Sequence, residues 1–159
     1  MVNRFARASR EVIVDARAEA RAAGSPTLEA EHVLLALSGR EGNVARQILA
    51  SAGLDHGRIQ EAIQLEFAGS LRAAGVTVDD FHLPPASIDP VRTPRWSESS
   101  KLVIRRAQRI CVTRRDSHLE PMHLLLGVLD AKVGTVPRAL ALAGVDRAEL
   151  ARRAARALS

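Results

Sequence analysis

The residues able to do chemistry in this chain are few and dispersed. Cys111 stands between Ile110 and Val112 with no histidine beside it, a setting that predicts a buried, inert thiol. As the only cysteine it excludes an internal disulfide framework and any multi-cysteine metal site. His118 and His123 fall on different helix faces, and His32 has no second ligand at i+4, so neither pattern builds a zinc site. Ser, His and Asp are all present, yet no G-x-S-x-G elbow presents a serine for nucleophilic attack. The Gly39-Arg40-Glu41-Gly42 loop lacks a following Lys, and no G-x-x-x-x-G-K-[ST] occurs to cradle nucleotide phosphates. The pattern points away from an enzyme and implies no metal and no cofactor.

Charge and composition narrow the remaining classes. Basic residues number 23 against 18 acids, for a net charge of +5, and Lys101 and Lys132 are the only lysines. That balance permits attraction to polyanions. The bases alternate with acids, as in Arg7/Glu11 and Arg17/Glu19/Arg21, which is the pattern of a solvated helix face. With no Tyr, three Phe and one Trp, little is available to stack single-stranded bases. An arginine-rich nucleic-acid-binding helical protein is therefore the alternative reading, not the leading one. Charged residues at 26% and apolar residues at 47% exclude a disordered chain. No apolar run approaches the ~18 residues of a spanning helix, and the Met1 region lacks a signal-peptide core. A soluble, reduced, cytoplasmic protein with no membrane partner is expected.

The elements that must position these residues read as helices. Ala, Leu and Arg dominate, and Gly and Pro cluster between segments. The first helix is predicted over about Phe5 to Ala23, with Ile13, Ala16 and Ala20 on one face and Gly24 stopping it. A second follows Thr27 to about Leu37, a third runs from about Asn43 to Ala52, and Asp55 caps a fourth bearing Ile59, Ile63 and Phe67. From about residue 68 to Pro94 the pattern breaks: Gly75, Pro84, Pro85, Pro90 and Pro94 make a linker, and Val76-Thr77-Val78 is too short for a sheet. The pattern then returns over about Ser97–Thr113, Leu119–Leu129, Val136–Ala143 and Asp146–Leu158.

That return is an internal repeat. His32 and His123 lie 91 positions apart, and the same shift aligns the halves without a gap. It places Phe5 on Trp96, Val12-Ile13 on Val103-Ile104, Leu34-Leu35 on Leu125-Leu126, Ala52-Gly53 on Ala143-Gly144 and Asp55 on Asp146. Two four-helix units, each with an incomplete apolar face, should pack about a pseudo-twofold axis. The expected fold is all-α, one eight-helix domain, with repeat one over about 3–67 and repeat two over about 95–158.

The residues that recur resemble a known family. Arg4-Phe5, Arg10-Glu11-Val12-Ile13-Val14 and Glu31-His32-Val33-Leu34-Leu35-Ala36-Leu37 are similar to the first repeat of the N-terminal domain of Clp unfoldases. Thr93-Pro94-Arg95 and Met122-His123-Leu124-Leu125-Leu126-Gly127 are similar to the second. The resemblance implies a non-catalytic module that receives peptides, adaptor proteins or marked substrates for a Clp unfoldase–protease. The ATPase motifs of such machines do not occur in this sequence, so a free-standing paralogue or an excised domain is expected.

The resemblance also implies two candidate surfaces. In the family a carboxylate at the position of Glu31 and a hydroxyl after the first-helix aromatic hold phosphoarginine, the first by pairing with the guanidinium and the second by taking the phosphate. Here the first repeat keeps Glu31 but has Ala6 at the hydroxyl position, and the second keeps Ser97 but has Met122 at the carboxylate position. Each repeat retains one arm; the plainer alternatives are a first-turn helix acid for Glu31 and an N-cap for Ser97. In actinobacterial relatives, positions like those of Val2, Phe5, Arg10, Ile13, Val14, Trp96, Lys101, Ile104 and Arg105 form a surface that receives cyclic-peptide antibiotics. Core packing at helical spacing is the plainer alternative for these residues. For His32 and His123, each in the first turn of a helix, a structural imidazole is expected.

Overall fold

The computed structural model describes residues 4–76 and 93–158. Val2 and most of the expected linker, including Pro84, Pro85 and Pro90, lie outside the described residues. Repeat one contains β1 (Arg4–Phe5), α1 (Arg7–Ala22), β2 (Thr27–Leu28), α2 (Ala30–Gly39), α3 (Val44–Ser51) and α4 (His56–Ala73). Repeat two contains β3 (Arg95–Trp96), α5 (Glu98–Arg114), β4 (His118–Leu119), α6 (Pro121–Leu129), α7 (Thr135–Leu142) and α8 (Arg147–Ala157). The described residues thus hold eight helices in two copies of one unit, as the repeat requires.

Local chemistry sets most helix ends. Asn43, Asp55, Ser97 and Asp146 cap α3, α4, α5 and α8, each side-chain oxygen accepting from a first-turn backbone N–H. Gly53 and Gly144, equivalent in the two repeats, leave α3 and α7 at φ 76° and 73°, a left-handed conformation that glycine adopts without Cβ strain. Four boundaries differ from the sequence reading. Phe5, Leu28 and Leu119 lie in two-residue strands and not in helices, so α6 starts only at Pro121. Helix α2 starts at Ala30, where His32 Nδ1 accepts the Glu29 backbone N–H at 2.9 Å, a capping box built from Glu and His. Helix α4 runs through Gly69 to Ala73, into the span expected to be linker.

The four short strands explain how the repeats interlock. Strand β1 pairs in parallel with β4, and β2 with β3, so every bridge joins one repeat to the other. Arg4 and Phe5 face His118 and Leu119; Thr27 and Leu28 face Arg95 and Trp96. The 91-residue shift converts the first pair of partners into the second, so the bridges obey the pseudo-twofold.

The core follows the same symmetry. Val12, Ala16 and Ala20 of α1 are fully buried, and so are their equivalents Val103, Ala107 and Cys111 of α5. Helices α2 and α6 are buried on nearly all sides, with Val33, Leu34 and Leu37 answered by Leu124, Leu125 and Val128. Burying such a side chain stabilises by roughly 1.5–3 kcal/mol. Cys111 is a core residue whose Sγ lies 3.5 Å from Asp116 O. The apolar stripe expected on α4 is only partly buried: Ile59 is buried, Ile63 packs at the core margin, and Phe67 is 58% exposed.

Candidate functional site

The α1 face bearing Arg10, Ile13, Val14 and Arg17 repeats at i, i+3, i+4 and i+7, so these four side chains project from one side of the helix. On α5 the equivalents Lys101, Ile104 and Arg105 do the same. The two faces line one cleft of about 510 Å³, together with Phe5 and Trp96. Eight of the nine lining residues are equivalent pairs under the repeat: Phe5/Trp96, Arg10/Lys101, Ile13/Ile104 and Val14/Arg105. The cleft therefore straddles the pseudo-twofold. The strand bridges position its aromatics, because Phe5 is held opposite Leu119 and Trp96 opposite Leu28 by backbone pairing.

Every residue singled out in sequence for the apolar surface lines this cleft except Val2, which lies outside the described residues. Phe5, Trp96 and Ile104 are half-buried and pack against the core, Ile13 is buried, and Val14 is 61% exposed. Core and surface are thus not exclusive roles here: the floor of the cleft is the outer edge of the core. Arg17 was missed by the sequence reading, although its i+7 spacing from Arg10 could have found it. Its guanidinium carbon stands 5.9 Å from the Trp96 ring centroid, within cation–π range.

The second candidate surface is built differently from the sequence expectation. Because β2 pairs with β3, Ser97 of repeat two is brought to the start of α2, where Ser97 N donates to Leu28 O at 3.1 Å. The two retained arms, Glu31 and Ser97, therefore belong to one end of the molecule. Ala6 and Met122 form the other end, where Ala6 N donates to Leu119 O at 3.0 Å and Met122 is buried. One end keeps both arms and the other has neither.

The end that keeps both is already occupied by the chain's own groups. Ser97 Oγ accepts from Ser100 N as the α5 cap, and Ala30 N at the start of α2 donates to Ser99 Oγ at 3.0 Å. Ser99 Oγ also donates to Glu29 Oε2 at 2.5 Å, and Thr27 Oγ1 to Glu29 Oε1 at 2.8 Å. Burial raises the Glu29 carboxyl, but hydroxyl donors from Ser99, Ser97 and Thr27 outweigh it and hold the group below its usual value. An ionised carboxylate thus stands at the start of α2, held by the Ser99, Ser97 and Thr27 hydroxyls. Glu31 shifts the opposite way: burial raises it, and the nearby Glu29 and Glu66 add to the effect.

The two histidines close capping boxes. Both are buried, and Nδ1 of each accepts a backbone N–H at 2.9 Å, from Glu29 for His32 and Glu120 for His123. His123 Nε2 lies 2.9 Å from Asp116 Oδ2, whereas the residue equivalent to Asp116 in repeat one is Ser25. Burial lowers His32 despite the opposing charges of Glu29 and Glu19. No group of three or more His, Cys, Asp or Glu that could hold a metal occurs among the described residues. No described helix is long and apolar enough to cross a membrane.

Comparison with solved structures places the fold. The chain is similar to the N-terminal domain of the caseinolytic protease-associated chaperone ClpD from Arabidopsis thaliana, with a TM-score of 0.73, 18% identity and full coverage of both chains. It is similar to the Hsp104 N-terminal domain from Candida albicans, with a TM-score of 0.66 and 18% identity over 95% of this chain and 89% of that one. A chain from a malarial protein secretion system gives a TM-score of 0.69 at 12% identity, covering 96% and 93%. The family model for the Clp repeat N-terminal domain matches residues 4–83 and 95–159. With both repeats matched and the two-repeat fold in place, the chain belongs to the Clp repeat N-terminal domain family, whose members are protein-interaction modules of Clp/Hsp100 chaperones.

Proposed function

We propose that this domain is a non-catalytic receiving module whose ligand seat is the cleft between α1 and α5, taking a peptide or adaptor segment through a large apolar side chain. One observation carries the reading: the cleft lies on the pseudo-twofold, where two half-buried aromatics and two isoleucines from both repeats form a continuous apolar floor. Such a site needs no nucleotide. Cyclic-peptide antibiotics present the same kind of apolar surface, and the domain acting alone would sequester them from a full-length unfoldase. Phosphoarginine-type marks are a weaker candidate ligand, because the Glu29 carboxylate already engages the Ser97 and Ser99 hydroxyls and would repel a phosphate there. The nucleic-acid alternative draws no support from the cleft, whose aromatics pack against the core and are not splayed for base stacking.

Val14→Asp tests the reading with little risk to folding, since Val14 is 61% exposed. The variant should melt within a few degrees of the parent and bind an apolar peptide or hydrophobic cyclic peptide at least about tenfold more weakly, as expected for a charge placed in an apolar seat. Unchanged affinity in a folded Val14→Asp protein would refute the assignment of the cleft.

A further inference from the structure

The chemistry of the cleft's rim goes beyond its apolar floor. Four of its nine lining residues are cations, Arg10, Arg17, Lys101 and Arg105, and none is an acid. The acids of α1 are engaged outside the cleft, and the one acid of α5, Glu98, neutralises Lys101 at its rim. Glu11 and Asp15 bind Arg40 at 3.0 and 2.7 Å, Glu19 reaches His56 at 2.7 Å, and Glu98 pairs with Lys101 at 3.1 Å. Among the described residues, Arg10, Arg17 and Arg105 are left with no carboxylate partner in an ion pair. Arg17 goes further: its Nε is buried with no acceptor, although the guanidinium lies within cation–π range of Trp96. A donor buried without a partner costs stability that an incoming acceptor would recover.

The two walls are not equivalent. Under the repeat, Val14 answers Arg105, and Arg17 answers Gln108, which does not line the cleft. Arg105 therefore places charge opposite an exposed apolar side chain, which gives a bound segment a preferred direction.

We infer that the partner is a protein segment in which one large apolar side chain is flanked by aspartate or glutamate residues, the apolar group seating on Phe5, Ile13, Trp96 and Ile104 and the carboxylates meeting Arg10, Arg17 and Arg105. This deepens the proposed function and rests on the same cleft. Partly exposed ion pairs contribute up to about fivefold each in affinity, so two or three at the upper end of that range amount to about tenfold or more.

Trp96 is the only tryptophan, and there is no tyrosine, so intrinsic fluorescence excited at the indole reports from inside the cleft. Three synthetic peptides sharing one Leu-Phe anchor are titrated, with flanking Asp/Glu, Asn/Gln or Lys. The acidic peptide should bind about tenfold more tightly than the neutral one at ~0.1 M salt, and the gap should close near 1 M salt, where the screening length falls to about 3 Å. Arg105→Glu, at an exposed position, should abolish the preference for acid and favour the Lys peptide. Equal binding of acidic and neutral peptides would overturn the inference and leave the cleft reading standing. If no peptide changes the Trp96 emission or competes for it, the cleft reading falls as well. A response to anionic vesicles or a single-stranded DNA oligonucleotide, with none to the acidic peptide, would also overturn the inference.

Discussion

Gly127→Ala probes the packing that holds α5, and with it one wall of the cleft, in place. A Cβ built on Gly127 would stand 2.5 Å from Val103 O and 3.3 Å from Ala107 N, both backbone atoms of α5. An ordinary carbon–oxygen contact needs about 3.3–3.6 Å, so α6 would have to back away by nearly 1 Å. The neighbouring Leu124, Leu125 and Val128 are fully buried, and such a core cannot yield without opening gaps. Overpacking costs roughly 1–3 kcal/mol, and because the obstacle is backbone the upper part of that range applies. Replacing Gly by Ala inside a helix returns about 1 kcal/mol. The net loss is about 1–2 kcal/mol, a fall of roughly 2–8 °C in melting temperature for a domain of this size. The repeat supplies a control, because the residue equivalent to Gly127 is Ala36, which is also buried. Ala36→Gly should be destabilising too, by about 1–2 kcal/mol from lost helix propensity and one buried methyl. Paired thermal melts read both values. A higher melting temperature for Gly127→Ala would refute the close approach of α5 and α6.

Three further predictions concern the candidate sites. Trp96→Ala should cost about half of the ~3–5 kcal/mol of a fully buried Trp, because the ring is half-buried, and should lower peptide affinity by 2 kcal/mol or more; melting and titration by calorimetry on one sample check both. Glu31→Gln should stabilise the domain at pH 7: burial holds the Glu31 carboxyl above its ordinary value of 4.5, so the native state binds more protons than the unfolded one and its ionisation costs stability as pH rises. That gain should vanish below about pH 4.5, where the group is protonated in both states, and a gain independent of pH would contradict the assignment. Free phosphoarginine should bind weakly, and Glu29→Gln should strengthen it by about tenfold or more by removing the carboxylate that engages the Ser97 and Ser99 hydroxyls; tight binding to the unmodified domain in calorimetry would contradict this.

The helical repeat was legible because its signals are local: apolar spacing, the polar caps Asp55, Ser97 and Asp146, and the glycines at equivalent helix ends. The elements that sequence reading missed are non-local or unusual in composition. A two-residue strand has no periodicity, and β1 and β4 are recognised only once Phe5 is found opposite Leu119. The α2 cap joins Glu29 to His32, outside the usual hydroxyl-to-carboxylate pattern of a capping box. The 91-residue shift told which residues are equivalent but not which are neighbours. Ser97 and Glu31 were accordingly assigned to separate half-sites, and the crossed strand pairing brings them to one end. For the cleft the shift was more informative, because residues on a pseudo-twofold axis are both equivalent and adjacent. The grouping of Phe5, Ile13, Trp96 and Ile104 that the resemblance implied agrees with that shift, whereas Arg17, whose equivalent Gln108 takes no part, is reached only through its i+7 spacing from Arg10. Phe67 reads as core by spacing, yet it lies 58% exposed at the last step of the α4 stripe, beyond buried Ile59 and marginal Ile63.

The central claim is that the cleft between α1 and α5 is where this domain receives its ligand. Backbone and indole resonances followed by NMR during titration with the acidic Leu-Phe peptide test it most directly. The account predicts the largest shifts at Phe5, Val14, the Trp96 indole, Ile104 and Arg105, with Glu31, His32 and Phe67 unmoved. Shifts concentrated at Glu31, His32 and Phe67, with the Trp96 indole unchanged, would contradict it.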